Sequence, residues 1–143
     1  MFTLDPRLQQ DTIALGSFPL SALLLMNDSS YPWLILVPRR PGIREIFELE
    51  PADRQQLLNE SSHLAATLAN RFHADKLNIA ALGNVVPQLH LHHVVRYHDD
   101  PAWPAPIWGK TPAVPYTADQ LRTFRRQLIP HLVDFIPAPV DIQ

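Results

Sequence analysis

From Gln88 to His92 polar and apolar residues alternate without a break, and the run continues through His93 into Val94, Val95 and Arg96. Alternation that ends in β-branched residues is the pattern of a half-buried strand, and it fixes which side chains share a face. With a period of two, Gln88, His90 and His92 stand on one side, and Leu89, Leu91 and His93 on the other. Side chains two apart lie roughly 6.6 Å from each other along a strand. That spacing lets a row of amide and imidazole groups touch successive parts of one ligand, and the rest of the chain is read as the scaffold for this strip.

The scaffold divides into short apolar segments and two helices of distinct character. Asp5-Pro6 reads as an N-cap followed by proline at the first helical position, opening a helix that ends by Asp11. Ile13–Phe18 and Ser21–Met26 flank Pro19 as two antiparallel neighbours or one interrupted edge strand. Asn27-Asp28-Ser29-Ser30 is a dense turn signal. Trp33–Val37 is apolar throughout, as a strand buried on both faces requires. After Glu50-Pro51, Leu57, Leu58, Leu64, Ala65, Leu68 and Phe72 recur at three- and four-residue spacing, the clearest helix in the chain. Leu77–Leu82 is a further strand, and Gly83-Asn84 a turn that folds it back beside the histidine strand. Thr117 and Gln120 form a capping box for a last helix to about Ile129, where Pro130 ends or kinks it. Hairpin-like strands with one long amphipathic helix predict an α+β domain, an antiparallel sheet of about five strands with helices on one side.

Length and composition narrow the function. A chain of 143 residues is a single domain able to bury its own core, here about residues 13–97, with a proline-rich tail and C-terminal helix over 98–143. Fifteen prolines against four glycines, many of the prolines after Asp100, predict a rigid, extended tail. A net charge of −2 gives no basic footprint for a nucleic-acid polymer. No apolar run reaches membrane-spanning length and no basic-then-hydrophobic leader opens the chain, so a cytoplasmic protein is expected. The absence of cysteine leaves any chemistry to histidine, carboxylate and hydroxyl groups.

Taken alone, His90 and His92 admit several readings. Two histidines on one strand face are ordinary polar groups lining a groove, a pair of metal ligands, or a nucleophile with its helper. Metal binding would need more donors, and His93 and Asp99 are the nearest by sequence, but His93 points to the opposite face. As a nucleophile His90 is well suited, because neutral imidazole is abundant near neutral pH and needs only to park its second ring proton on a carbonyl. Charge building up on the attacked group would then be met by fixed donors such as His92 and the Gln88 amide. Trp33 and Phe18 are expected in the core rather than stacking on a ligand, and Trp103 and Trp108 are expected to pack on the sheet, with shaping the site mouth or a dimer contact as the alternatives.

The run Pro87-Gln88-Leu89-His90-Leu91-His92-His93-Val94 resembles the signature of the histidine triad (HIT) superfamily, in which three histidines alternate with apolar residues. The lead-in Lys76–Val86, and Asn27-Asp28 followed by Trp33–Arg40, are similar to the flanking segments in diadenosine tetraphosphate hydrolase-like bacterial members. The resemblance implies a HIT-like fold, a homodimer, and cleavage at the α-phosphate of a nucleoside polyphosphate or phosphoramidate through a covalent nucleotidyl-histidine. It implies His90 as nucleophile, His92 as a phosphate contact, Asn84 and Asn78 near the phosphates and Asn27 near the ribose, with no cofactor beyond magnesium carried by the substrate. One departure stands out, since Gln88 occupies the first triad position. Glutamine donates and accepts hydrogen bonds but does not titrate, so a nucleotide-binding protein without turnover is the alternative.

Overall fold

The computed structural model describes residues 1–139. A first helix, α1 (Pro6–Asp11), is capped by the Asp5 carboxylate, which accepts the Arg7 backbone N–H at 2.8 Å. Strands β1 (Thr12–Ser17), β2 (Ser21–Met26) and β3 (Trp33–Pro38) follow, then the long helix α2 (Pro51–Phe72). The chain continues through β4 (Lys76–Ala80), β5 (Leu91–Arg96), α3 (Ala118–Leu128) and a two-residue strand β6 (Ile136–Pro137). The strands form one sheet in the order β4-β5-β3-β2-β1-β6, antiparallel at every junction.

Six strands replace the expected five because β6 returns to pair with Gly16 and Ser17. The approach is so close that a Cβ on Gly16, whose φ is +148°, would stand 2.2 Å from the Ile136 carbonyl oxygen. Only glycine permits that contact.

One sheet face carries the main core. Leu23, Leu25, Leu34, Leu36, Leu91 and Val95 meet Leu57, Leu64, Leu68 and Phe72 of α2 and Phe124 and Leu128 of α3. Leu58, expected on the α2 stripe, is exposed, and Glu60 and Ser61 turn inward instead. Both are satisfied: Glu60 accepts the Leu20 and Ser21 N–H groups of the β1–β2 turn and the Gln56 amide, and Ser61 meets His93. The helices do not all lie on this side. Leu8 of α1 packs with Leu24, Ile35 and Val37 on the opposite face, and Tyr31, Val94, Ala102 and Ile107 form a further cluster there.

The predicted hairpin between β4 and β5 is corrected in one respect. The two strands pair antiparallel, Lys76 opposite Arg96 through Ala80 opposite His92, but residues 81–90 separate them instead of a tight turn. Pro87 has no N–H for a ladder, and the Leu89 N–H goes to the Ile43 carbonyl. The paired strand therefore begins at Leu91, and Gln88 and His90 precede it while keeping the alternation of faces. The tail is not extended either. Asp100 accepts the N–H groups of Tyr97, Ala102 and Trp103, which bends the chain tightly after β5.

Candidate functional site

His90 sits at the mouth of β5, nearly buried, with Nδ1 2.7 Å from the backbone carbonyl oxygen of Gln88. A carbonyl only accepts, so Nδ1 carries the proton and the lone pair of the ring is on Nε2. His92, the next residue on that face, has its ring 4.8 Å from that of His90. The Trp33 indole N–H donates to His92 Nδ1 at 2.9 Å. Strand pairing explains the contact: Trp33 of β3 lies opposite Val94, one step along the same face from His92. The Trp108 ring, carried by the tail, stands 5.3 Å from His92 and edge-on to Trp33.

These groups line a cleft of about 360 Å³ whose rim includes Arg7, Asp11, Met26 and Asn84. A second hollow of about 380 Å³, bordered by Asn27 and Asp28, adjoins it through Asp11, Met26, Trp33 and Trp108. Together they make a partly apolar trough with imidazoles at one end, large enough for a small organic ligand.

Burial holds His92 far below the usual imidazole range, at about 3, with the neighbouring His90 and His93 adding to the shift. His93 is pushed down to about 4, again by burial, which outweighs the backbone carbonyls that would favour its charged form. Its ring lies on the core face, Nδ1 3.0 Å from the Leu91 carbonyl oxygen and Nε2 2.7 Å from the Ser61 hydroxyl.

The structure brings some of the sequence-derived site residues together and separates others. His90, His92 and Asn84 share the cleft. Asn27 borders the adjoining hollow, although its side-chain oxygen already accepts the Tyr116 N–H. Asn78 is elsewhere: its Oδ1 accepts from Arg96, inside a buried network with Asp100 and the Ala105 carbonyl. The Gln88 amide is also committed, Nε2 donating to the Thr3 carbonyl and Oε1 accepting the Asp5 N–H, both at 2.9 Å. The expected amide contact to the reacting group is thus not formed here, and what Gln88 offers His90 is its backbone oxygen. Among the described residues no three His, Asp or Glu side chains come together as a metal-holding group.

The sequence favours packing for Trp33 and Trp108 over base-stacking or shaping the site mouth, whereas the structure puts both rings at the cleft. The available signal was that both have a polar N–H, and that Trp33 begins the strand most plainly buried, where an indole N–H needs a partner.

Comparison with known proteins bears on the family and the fold. The family model described as "HIT domain" matches residues 7–99. A histidine triad protein from Marinobacter aquaeolei VT8 is 56% identical, covering 92% of this chain and 96% of that one, with a TM-score of 0.91. One from Sinorhizobium meliloti 1021 is 46% identical over 92% and 98% of the two chains, with a TM-score of 0.90. A third, from Bradyrhizobium japonicum, is 44% identical over 91% and 97%, with a TM-score of 0.89. No curated protein matches the chain. With His90 just before β5 and His92 within it on the same face, and a family match that runs from α1 past the end of that strand, the chain belongs to the histidine triad family.

Proposed function

We propose that the protein is a nucleotidyl hydrolase or transferase that cleaves at the α-phosphate of a nucleoside polyphosphate or phosphoramidate, with His90 as nucleophile. The observation that carries this reading is the 2.7 Å contact of His90 Nδ1 with the Gln88 carbonyl oxygen, which turns the Nε2 lone pair toward the cleft. In the first step the Nε2–phosphorus bond forms as the bond from phosphorus to the leaving group breaks. In the second, water attacks the nucleotidyl-histidine, the P–N bond breaks and a nucleoside monophosphate departs. Splitting the displacement in this way replaces one difficult step by two easier ones.

His92 and the Asn84 amide are the proposed donors to the phosphoryl oxygens, where charge accumulates. The nucleoside is proposed to occupy the trough toward Asn27, against Trp33 and Trp108. Gln88 acts as a positioning residue through its carbonyl, and Asn78 is left out of the substrate site. No resident cofactor is proposed, and magnesium arrives on the substrate. The protein is further proposed to be a cytoplasmic homodimer; among the described residues no helix is long and apolar enough to cross a membrane.

The test is incubation with diadenosine tetraphosphate and with an adenosine phosphoramidate, followed by acid-free quenching and intact mass spectrometry. Wild type should release nucleoside monophosphate and show an adduct on His90. His90→Ala should lose turnover by on the order of 10⁴-fold or more. Tight binding with neither products nor adduct would favour the non-catalytic reading, for which the untitratable Gln88 is the motive.

A further inference from the structure

The bond from Trp33 to His92 constrains the chemistry more than its length suggests. An indole nitrogen is a donor only, so His92 Nδ1 accepts across those 2.9 Å and the ring proton resides on Nε2. Imidazolium has protons on both nitrogens. To form it, His92 must break this contact and set two N–H groups against each other in a nearly buried place.

The groups facing the ring do not offset that cost. β3 contributes Trp33 and the paired Ile35, and β4 contributes Ala80, none of them charged. The tail contributes Trp108. Its own segment brings His90 and, beyond the backbone, His93. From α1, Arg7 and Asp11 border the cleft, but they pair with each other at 3.8 Å and are largely solvent-exposed. Among the described residues His92 has no carboxylate within ion-pairing distance.

We propose that Trp33 is a positioning residue that locks His92 as a neutral Nε2–H tautomer, a fixed hydrogen-bond donor that does not exchange protons during turnover, and that the site therefore favours leaving groups needing no proton. The leaving-group half rests on the nucleotidyl-transfer reading given above, whereas the tautomer is a property of the free protein. The chemistry follows from proton balance. A polyphosphate is a weak base and departs as an anion when its P–O bond to the α-phosphorus breaks. An amine departing from a phosphoramidate must gain a proton as the P–N bond breaks, and a neutral Nε2–H ring cannot supply it without becoming an imidazolate. Water must then deliver that proton.

The experiment has two readouts. Nitrogen NMR of histidine-labelled protein reads the protonation of His92 directly, with no substrate present. Wild type should show a neutral ring with the proton on Nε2 from pH 7.5 down to the onset of acid unfolding. Trp33→Phe, which keeps an aromatic ring and removes the N–H, should let His92 titrate at a pH higher by at least about one unit, a tenfold change in its protonation equilibrium. Wild-type His92 that is protonated on Nδ1, or charged near pH 6, overturns the proposal whether or not the variant folds. The second readout is kcat/KM for diadenosine tetraphosphate divided by that for adenosine phosphoramidate. The ratio should exceed one in wild type and fall about tenfold in Trp33→Phe. A wild type that prefers the phosphoramidate overturns the leaving-group half. The stated tautomer in a protein that turns over neither substrate leaves the Trp33 assignment standing and removes the proposed activity.

Discussion

His92 and His93 are consecutive in sequence, yet they face opposite sides of the sheet and both resist protonation. In the unfolded chain each would titrate near 6.5, so the folded state binds fewer protons over the interval below that value. Their contribution to stability is therefore complete above about pH 6.5 and is lost as pH falls toward about 4 for His93 and about 3 for His92. Each should cost about 1.4 kcal/mol per pH unit across that window, so stability at pH 5 should lie below that at pH 7 by at most about 4 kcal/mol. Urea unfolding at the two pH values measures the drop, and His93→Gln should reduce it by roughly half. The partition of these two rings was legible because a period of two needs no knowledge of the fold. The partners of Gln88 and Trp33 were not. Gln88 bonds to backbone 83 and 85 residues away, and Trp33 reaches His92 across 59 positions, so both contacts depend on tertiary placement that no local pattern carries.

The segment after β5 shows the same division at the level of elements. Arg96 is fully buried and forms a two-pronged ion pair with Asp100, while its remaining donors meet Asn78 and the Ala105 carbonyl. The guanidinium also lies 5.4 Å from the centre of the Trp103 ring. Burial opposes charge on Asp100, but the Arg96 bonds and three backbone N–H groups prevail and hold its carboxyl down at about 2. Removing the charge leaves Arg96 buried without a counterion, which typically costs about 3–5 kcal/mol. Asp100→Asn should therefore lower Tm by roughly 10 °C in a calorimetric scan. The tail it anchors leads on to Trp108, so the variant should also bind nucleotide more weakly. Proline content suggested rigidity here, and the element is indeed tied down. What composition could not show is that the tie is a buried ion pair bending the chain back over the sheet. The capping box of α3, by contrast, is local, and both of its hydrogen bonds form as the sequence predicts.

At the scale of the whole molecule the α+β order of elements was readable from the strand and helix periods, while the sheet order was not, because β3 pairs with β5 across the long helix. Among the described residues the order leaves β4 with a single neighbour. On and just after this strand Ile79, Leu82 and Val85 are exposed. An unpaired edge flanked by apolar side chains invites pairing with another chain, and the proposed homodimer is argued to form there. Sedimentation velocity at micromolar concentration should give twice the 16.2 kDa chain mass, and Ile79→Lys should shift the protein toward monomer; a wild-type monomer would remove the dimer from the reading. The opposite margin of the sheet is different in kind. There the two-residue β6 is pressed tightly against Gly16 and covers β1 only at Gly16 and Ser17. A margin that ends in two residues, one of them a proline with no N–H to offer, is a poor template for a further strand, so growth by edge pairing is favoured at β4 and discouraged at β6.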